Sequence, residues 1–400
     1  MKHIPISDFR IDALGKRKII ELLDSGRISE GENVQHFEKL WADYISTKFS
    51  VLTNSGTSAL IAGLEALKHY RNIPDGKKVI TTPMSYVATS NAIVKANLKP
   101  VFIDVNMDDF CINADKIREH LENNNPEDYC LILPVHLMGY PCDMDKINKI
   151  AKDFGLDVFE DSAQAHGTLY KGEKVGSLSL LSDFSFYMAH NIQVGELGAV
   201  TTNNSEIYRL IKKIKANGRV CDCLKCTRRD GYCPRLKEEE DFENDPRFSH
   251  DLIGYNFKTM EFQAVIGLIE LNKIDSIIKK RQDNVKILNE GLQNCSDILQ
   301  LPIYSTNYSY LAYPMLIKNK ITRQKIRMRL EANGIETRPM FGSIPTQQKS
   351  FSFLKDEYIG KLPNADYIGK NGFYISAHQF LEQDHLDYMI KVINKIINGI

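Results

Sequence analysis

Short apolar runs rich in β-branched and aromatic residues alternate with helical patterns through the first half of this chain. Runs with a strand pattern lie at residues 78–82, 100–104, 129–133, 156–159, 183–186 and 198–201. Helical patterns lie at 58–69, 86–96 and 143–154. Such alternation is typical of α/β folds with a mostly parallel sheet. The chain is therefore predicted to be an α/β protein, and polar residues at its strand ends become the candidates for a functional site.

The second half of the chain has a different pattern, which predicts a second lobe. A long helical pattern covers residues 260–292, and shorter strand and helix signals follow it to the end of the chain. We place the lobe boundary inside that helix. The prediction is a large domain at 1–275, which includes a cysteine-rich insert at about 218–250, and a smaller C-terminal α/β lobe at 276–400. The charged stretch 235–245 is predicted to be an exposed loop.

Charge and hydropathy exclude two classes of partner. Lysine plus arginine (51) equals aspartate plus glutamate (51), so no overall field attracts the chain to nucleic acid or to an anionic membrane. No apolar run approaches the roughly 20 residues needed to span a bilayer, and the first residues lack the apolar core of a signal peptide. The expected location is cytoplasmic.

Two segments have the chemistry of a cofactor site. Gly56, Thr57 and Ser58 form a small turn that leads into a helix, whose first amides and hydroxyls could hold a phosphate. By itself this turn is more often an ordinary helix cap. Glu160 and Asp161 follow a strand, and Asp161 could pair with a protonated ring nitrogen, although a capping aspartate has the same pattern.

Together with further motifs, these segments resemble the DegT/DnrJ/EryC1 family of sugar aminotransferases, which are pyridoxal-phosphate enzymes of fold type I. The resemblance covers nearly the whole chain. It rests on the turn at 56–58 and on 82–93, 134–139, 160–167, 185–187 and 254–264. It implies the aspartate-aminotransferase-like fold, with a mostly parallel central sheet and a smaller C-terminal α/β lobe.

The same resemblance implies the cofactor site, with pyridoxal or pyridoxamine phosphate bound in a homodimer. Its implied residues are Gly56, Thr57, Ser58 and Ser185 at the phosphate, Tyr86 stacked on the pyridine ring, Asp161 at the ring nitrogen, Gln164 beside the ring hydroxyl, and Asn256 from the other subunit.

His190 stands where the family has the lysine that links covalently to the cofactor, five residues after Ser185. The nearest lysines, Lys174 and Lys212, are far along the chain. Imidazole cannot form the covalent link that transamination needs, but it can move protons near neutral pH. His190 is therefore predicted to be a general base.

The replacement of the family's lysine by His190 points to sugar 3-dehydratases, which use pyridoxamine phosphate to remove the C3 hydroxyl of a nucleotide-linked 4-keto sugar. The alternative is a non-catalytic sugar-binding paralogue.

Four cysteines crowd into one polar segment with the spacing Cys-x-Cys-x2-Cys-x6-Cys. They are Cys221, Cys223, Cys226 and Cys233. Four thiolates can hold zinc or an iron–sulfur cluster, and spacing does not choose between them. The resemblance to iron–sulfur 3-dehydratases of the CDP-4-keto-6-deoxyglucose type favours [2Fe-2S], although the gaps around Cys226 and Cys233 differ from that pattern.

A [2Fe-2S] cluster in this enzyme type implies an external NADH- or NADPH-dependent flavin and iron–sulfur reductase. The alternative is an iron-free dehydratase with structural zinc, which regenerates its amine from glutamate.

Several other polar residues have both a functional and a structural interpretation. By resemblance Arg338 and His378 are candidates to meet the nucleotide sugar, with a surface arginine and a core histidine as the alternatives, and Glu196 is a secondary acid or a solvated loop residue. For His136 and His166 a hydrogen-bonded structural role is at least as well supported. The remaining cysteines are expected to be ordinary buried or half-buried side chains: Cys111, Cys130, Cys142 and Cys295.

Overall fold

A computed structural model describes residues 2–221, 223, 227, 231, 233, 245–318 and 322–399 of the chain. The strands are β1 Phe49–Thr53, β2 Lys78–Thr81, β3 Lys99–Phe102, β4 Tyr129–Leu133, β5 Asp157–Asp161, β6 Leu169–Tyr170, β7 Glu173–Lys174, β8 Leu181–Ser185, β9 Gly198–Thr202, β10 Leu299–Gln300, β11 Tyr313–Ile317, β12 Arg338–Pro339 and β13 Gly372–Ile375. The helices are α1 Ala13–Asp24, α2 Glu32–Ile45, α3 Gly56–Arg71, α4 Ala88–Lys95, α5 Ala114–Glu122, α6 Met144–Phe154, α7 Ser205–Ile214, α8 Glu261–Leu271, α9 Ile274–Gly291, α10 Arg323–Ala332, α11 Ile344–Gln347, α12 Lys355–Tyr358, α13 Pro363–Asn371 and α14 Gln383–Asn398.

The central sheet has the strand order β1-β9-β8-β5-β4-β2-β3. Within it β8, β5, β4, β2 and β3 run parallel, whereas β9 is antiparallel to both of its neighbours. The predicted mostly parallel sheet is confirmed. Sequence analysis missed β1, whose five residues pair with β9 along their whole length. The central strands are buried on both faces, as expected where helices cover a parallel sheet.

Local signals account for the helices that position the site. Ser55 caps α3 by accepting a hydrogen bond from the amide of Ser58 at 3.1 Å. Asp143 caps α6 in the same way, as the sequence predicted, and Gly155 ends that helix with a positive φ of 70°. Both helices follow strands of the parallel sheet, so their N-termini lie at its carboxyl edge.

The C-terminal lobe is built on an antiparallel sheet with the order β10-β11-β13-β12. The helical pattern at 260–292 was predicted as one helix, and this is wrong: α8 ends at Leu271 and α9 begins at Ile274. Lys273 lies between them with a φ of −106° and a ψ of −3°, and its ammonium group donates to Asp12 at 2.9 Å and to Glu270 at 3.4 Å.

The N-terminal segment packs on the C-terminal lobe. Ile4 forms a parallel bridge with Ile335 and is buried there. Residues close to the start of the chain thus contribute to the smaller lobe, an exception to a simple division at residue 275. In the described ranges, no helix is both long enough and apolar enough to cross a membrane.

Candidate active site

The N-terminus of α3 and the end of β8 form a small cradle. A Cβ atom added to Gly56 would lie 2.5 Å from the Cβ of Ser185, so only glycine permits this approach. Ser58 is buried and its hydroxyl donates to Asn54 Oδ1 at 2.6 Å, while Thr57 is exposed. The N-terminus of a 16-residue helix thus lies against Ser185, and the positive end of a helix suits a phosphate group.

A buried carboxylate lies at the end of β5, beside this cradle. Asp161 Oδ2 accepts a hydrogen bond from Thr89 Oγ1 at 2.7 Å, and Oδ1 accepts from the amide of Ala163 at 3.2 Å. Burial raises the pKa of Asp161, and the bond from Thr89 opposes that rise. A protonated ring nitrogen would restore the charge balance of this carboxyl group.

The structure separates the two acidic residues that end β5. Glu160 points to the opposite face of the sheet, since neighbouring residues of a strand alternate. There it accepts from the amides of Gly176 and Leu178 and contacts His136 Nε2 at 3.0 Å. Because His136 Nδ1 accepts from the amide of Cys142, Nε2 carries the hydrogen and donates. This pair is structural.

Tyr86 and Gln164 lie on the segments that follow β2 and β5. Tyr86 is 63% exposed, so one face of its ring is open to a flat ligand. Gln164 Oε1 accepts from the amide of Met138 at 3.0 Å, which leaves its NH2 group as a donor for the pocket. Asn256 is exposed, and its backbone carbonyl lies 3.5 Å from Asn54 Nδ2. The phosphate cradle, the buried carboxyl and the open ring face fit pyridoxal or pyridoxamine phosphate.

His190 is held in one tautomer. Its Nδ1 lies 2.6 Å from the carbonyl oxygen of Ser185. A carbonyl can only accept, so Nδ1 carries the hydrogen and Nε2 keeps its lone pair in the neutral ring. Burial lowers the pKa of His190 to about 4, with a smaller lowering from Arg281 and an opposing rise from the bond to Ser185. The imidazole is therefore neutral near pH 7, with Nε2 available as a base.

Arg281 ties the His190 segment to the C-terminal lobe. Its side chain is 1% exposed, and its guanidinium donates to the carbonyls of Tyr310, Leu311 and His190 at 3.2, 2.7 and 3.4 Å. It also donates to Gln379 Oε1 at 3.2 Å. Burial lowers the pKa of Arg281 to about 10. These partners are neutral acceptors, so Arg281 crosslinks two backbone segments, one at Tyr310 and Leu311 and one at His190, and keeps its charge.

Replacing Arg281 with methionine is expected to destabilise the fold by about 3 kcal/mol, because three buried carbonyls lose their donor. The free energy of unfolding in urea measures this. Arg329→Met is the matched control, since Arg329 is an exposed arginine on α10 and should change stability by less than about 0.5 kcal/mol. Equal effects of the two variants would contradict the crosslinking role.

The three predicted substrate residues differ in their surroundings. Glu196 is exposed, and its backbone carbonyl accepts a hydrogen bond from Gln263. Arg338 is exposed on β12 and pairs with Glu336 at 2.5 Å. His378 is buried, with a pKa lowered to about 4 mainly by burial. The first two are reachable by a ligand from solvent. A role in substrate binding stays a prediction for all three.

Of the four clustered cysteines, Cys226 lies outside the described residues. Cys223 is exposed, whereas Cys221 and Cys233 are partly buried. Across the residues that the structure describes, no group of three or more His, Cys, Asp or Glu side chains is arranged to hold a metal ion. The four-cysteine site therefore stays a prediction, as does the exposed loop at 235–245, most of which is also outside the described residues.

The remaining sequence predictions concern core residues. His166 is buried among Trp41, Phe184 and Phe186, and its pKa lies well below the ordinary value chiefly because of burial. The four scattered cysteines are buried or half-buried, as predicted: Cys111, Cys130, Cys142 and Cys295.

Sequence analysis missed three residues that bear on the site. Thr89 lies in a recognised motif without an assigned role, and Arg281 lies in a long helical pattern. Asp183 was treated only as part of a strand. A charged residue in the run Leu181–Ser185 was a usable signal, because a carboxyl group inside a buried strand needs an explanation. The contact of Arg281 with His190 spans 91 residues and has no local signature.

Comparison with known proteins finds relatives that include nucleotide-sugar enzymes. It is 33% identical over 390 residues to the uncharacterized protein MJ1066 of Methanocaldococcus jannaschii, covering 95% of this chain and 94% of the relative. It is 30% identical over 385 residues to dTDP-4-dehydro-2,6-dideoxy-D-glucose 3-dehydratase of Saccharopolyspora spinosa, covering 93% and 81%. It is 26% identical over 400 residues to GDP-4-keto-6-deoxy-D-mannose 3-dehydratase of Yersinia pseudotuberculosis, covering 99% of each.

Solved structures share the fold over the whole chain. Helicobacter pylori PseC, an aminotransferase involved in the biosynthesis of pseudoaminic acid, superimposes with a TM-score of 0.87 at 24% identity, covering 100% of both chains. The E. coli GDP-4-keto-6-deoxy-D-mannose-3-dehydratase with bound hydrated PLP gives a TM-score of 0.86 at 24% identity, covering 98% of this chain and 100% of that one. The expected fold of pyridoxal-phosphate aminotransferases is confirmed. A sequence profile matches residues 10–394, and the chain therefore belongs to the DegT/DnrJ/EryC1/StrS aminotransferase family.

Proposed function

We propose that this protein is a pyridoxamine-phosphate-dependent 3-dehydratase that removes the C3 hydroxyl of a nucleotide-linked 4-keto-6-deoxy sugar in deoxysugar biosynthesis. One observation carries the proposal: a neutral histidine, His190, occupies the position of the family's cofactor-linking lysine, near a helix N-terminus and a buried carboxyl group that fit the cofactor. The 3-dehydratases among its relatives support the substrate class.

Each residue of the pocket would have a separate role. Bound pyridoxamine phosphate would supply an amine for the 4-keto group and a ring that accepts electrons. Asp161 would keep the ring nitrogen protonated, and the cradle at Gly56 and Ser185 would anchor the phosphate. His190 Nε2 would take the proton whose loss leads to departure of the C3 hydroxyl. The Ser185 carbonyl holds the His190 ring in the tautomer that this step requires.

The cysteine segment and the second subunit complete the proposal. Cys221, Cys223, Cys226 and Cys233 are proposed to hold a [2Fe-2S] cluster, supplied with electrons by an NADH- or NADPH-dependent flavin and iron–sulfur reductase. Structural zinc, with glutamate regenerating the amine, is the alternative. A homodimer is proposed as well, with Asn256 directed to the partner's cofactor. Asn256 is exposed, and the neighbouring Ile253 is 93% exposed, which suits a segment covered by another subunit.

The direct test combines metal analysis with product analysis. Protein purified without oxygen would be analysed for iron, sulfide and zinc, and the dithionite-reduced form examined by EPR. The same protein would then be incubated with pyridoxamine phosphate and GDP-, CDP- or dTDP-linked 4-keto-6-deoxy sugars, and the products followed by mass spectrometry. We expect loss of the C3 hydroxyl from one of these sugars.

Each outcome distinguishes one version of the function. About two iron and two sulfide per chain, the content of a [2Fe-2S] centre, would support reductive deoxygenation. Zinc without sulfide, together with glutamate-dependent dehydration, would select the iron-free dehydratase. An amino sugar as the only product would identify an aminotransferase and overturn the proposal. Cofactor binding without any C3 product would indicate a non-catalytic paralogue and would also overturn it.

A further inference from the structure

Asp183, on β8, is a buried carboxyl group that the proposed chemistry does not use. Its side chain has no solvent exposure, and neither of its carboxyl oxygens has a hydrogen-bond partner in the described part of the chain. A buried carboxylate without donors is costly, because desolvation is not offset by hydrogen bonds. Its proton state therefore needs an explanation.

Strand pairing places Asp183 next to Asp161. The two residues are register partners on the parallel strands β5 and β8. Register partners on neighbouring strands project from the same face of the sheet. That face is covered by α3, because a Cβ atom on Gly63 would lie 2.5 Å from the Phe159 ring and 3.3 Å from Leu181 Cδ1.

The same alternation places Asp183 in the floor of the cofactor pocket. Leu181, Asp183 and Ser185 share one face of β8, and Ser185 meets Gly56 at the phosphate cradle. Asp183 thus lies between the phosphate cradle and the carboxyl group of Asp161. The two carboxyl groups occupy one site that water does not reach, as both side chains are buried.

We propose that Asp161 and Asp183 form a one-proton carboxyl pair in the floor of the cofactor pocket, in which Asp161 carries the negative charge and Asp183 keeps the proton. The assignment follows from the donors: Asp161 receives hydrogen bonds from Thr89 and Ala163, whereas Asp183 receives none. Two neighbouring carboxyl groups in a dry site do not both ionise, and the one without donors retains its proton.

The surroundings of the pair are consistent with this division. Burial, and then the charge of Asp161, raise the pKa of Asp183 well above its ordinary value. In the described residues, Asp161 is the only ionisable side chain that acts on Asp183 in this way. The hydrogen bond from Thr89 lowers the pKa of Asp161, which favours ionisation of Asp161 over Asp183.

The pair sets the charge beneath the cofactor, and this consequence rests on the cofactor site of the proposed function. One anion, Asp161, matches one protonated ring nitrogen. A second anion at Asp183 would leave one buried negative charge without a counter-ion. Asp183 thus acts as a positioning residue, since it keeps Asp161 as the single charged partner of the ring.

The first test uses the cofactor-free protein, so it does not depend on dehydratase activity. The folded state holds a proton on Asp183 that the unfolded state has lost above pH of about 4. Wild-type stability therefore falls as pH rises from there to the pKa of folded Asp183, by up to about tenfold in the folded-to-unfolded ratio per pH unit. The Asp183→Asn variant has no ionisable group at this position, so its stability should not show this decrease with rising pH. The Tm of Asp183→Asn minus that of wild type should increase from pH 5 to pH 9.

A matched control separates this effect from a general loss of charge. Asp75 is an exposed aspartate whose pKa is lowered by its hydrogen bond with Lys68. Asp75→Asn should therefore shift Tm by an amount that stays constant between pH 5 and 9. If Asp183→Asn fails to fold, Asp183→Leu provides the same non-titrating comparison. A Tm difference for Asp183 that does not change with pH would overturn the proposal.

Infrared spectroscopy tests the proton itself. The difference spectrum of wild type minus Asp183→Asn at pH 7 should contain the carbonyl stretch of a protonated carboxyl group, and that band should shift in D2O. The band should persist after saturation with pyridoxal phosphate. A carboxylate band in its place, or loss of the protonated band when pyridoxal phosphate binds, would overturn the proposal. Either result is separate from a failure of 3-dehydration, which would leave these spectra unchanged.

Discussion

Replacing His190 with asparagine is expected to lower the rate of C3 elimination by about 100- to 10,000-fold, the usual contribution of a general base. Pyridoxamine phosphate should still bind, because no covalent link to residue 190 exists and the phosphate cradle and Asp161 are untouched. Stopped-flow or discontinuous product analysis, together with cofactor titration by absorbance, separates the two effects. Equal losses of binding and elimination would contradict the assignment of His190 as the base.

The pH profile adds a second readout of the same residue. The base acts only when neutral, and the pKa of His190 is lowered from 6.5 to about 4, chiefly by burial. The neutral imidazole therefore persists as the pH falls from 8 and is lost near pH 4. The acid limb assigned to His190 is expected near pH 4, and a limb near 6.5 would argue against a buried neutral histidine.

Two further variants sharpen the test of His190. His190→Lys should suppress C3 elimination and produce the absorbance of covalently linked pyridoxal phosphate, because a primary amine returns to the family position. His120→Asn is the matched control, since His120 is a part-buried histidine that contacts Tyr129 instead of the cofactor pocket. It should leave the elimination rate within about twofold of wild type, the scale of a change of under 0.5 kcal/mol. Unchanged elimination in His190→Lys would refute the base assignment.

Replacing Gly56 with alanine is expected to weaken pyridoxal phosphate binding by at least about tenfold and to destabilise the protein by about 1–3 kcal/mol. The physical reason is direct: the new Cβ would lie 2.5 Å from Ser185 Cβ and 3.3 Å from Ser185 Cα. Strand β8 and the start of α3 would have to separate, which opens the phosphate cradle. Equilibrium dialysis against pyridoxal phosphate and thermal unfolding measure the two effects.

A control for Gly56 is available in Gly76, where an added Cβ meets nothing within 4 Å and the φ is +84°. Gly76→Ala should strain its own turn and leave pyridoxal phosphate affinity unchanged. Adding Ser185→Gly to Gly56→Ala should recover part of the lost stability, because the closest clashing atoms are removed. If Gly56→Ala binds pyridoxal phosphate as wild type does, the α3 cradle is not the phosphate site.

Most of the large domain could be predicted from local sequence. The strand runs around residues 78–201 and the cap of α6 at Asp143 correspond to observed elements, because hydrophobic period and capping are properties of a few consecutive residues. Strand β1 was missed because it is a short run that becomes recognisable only when it pairs with β9. The break between α8 and α9 was missed because the helical pattern continues across it and neither Asn272 nor Lys273 is a glycine or proline, the usual signals of a break.

The residues of the candidate site fall into the same two groups, those that local sequence identified and those that only the fold brought together. The sequence alone identified the turn at Gly56, the carboxyl of Asp161 and the histidine at position 190, since each lies in a short motif. It did not identify the roles of Thr89 and Asp183, because these depend on which strand lies beside which. Asp183 joins Asp161 only through the parallel register of β5 and β8.

By itself, then, the sequence determined the fold class, the family resemblance and the absence of a lysine at position 190. Only the tertiary structure decided that Asp161, not Glu160, faces α3, that the Ser185 carbonyl fixes the tautomer of His190, and that Arg281 binds the His190 carbonyl. The reason is physical. Identity and periodicity are local, whereas burial, hydrogen-bond partners and the pKa values they set arise from residues that meet only in the folded chain.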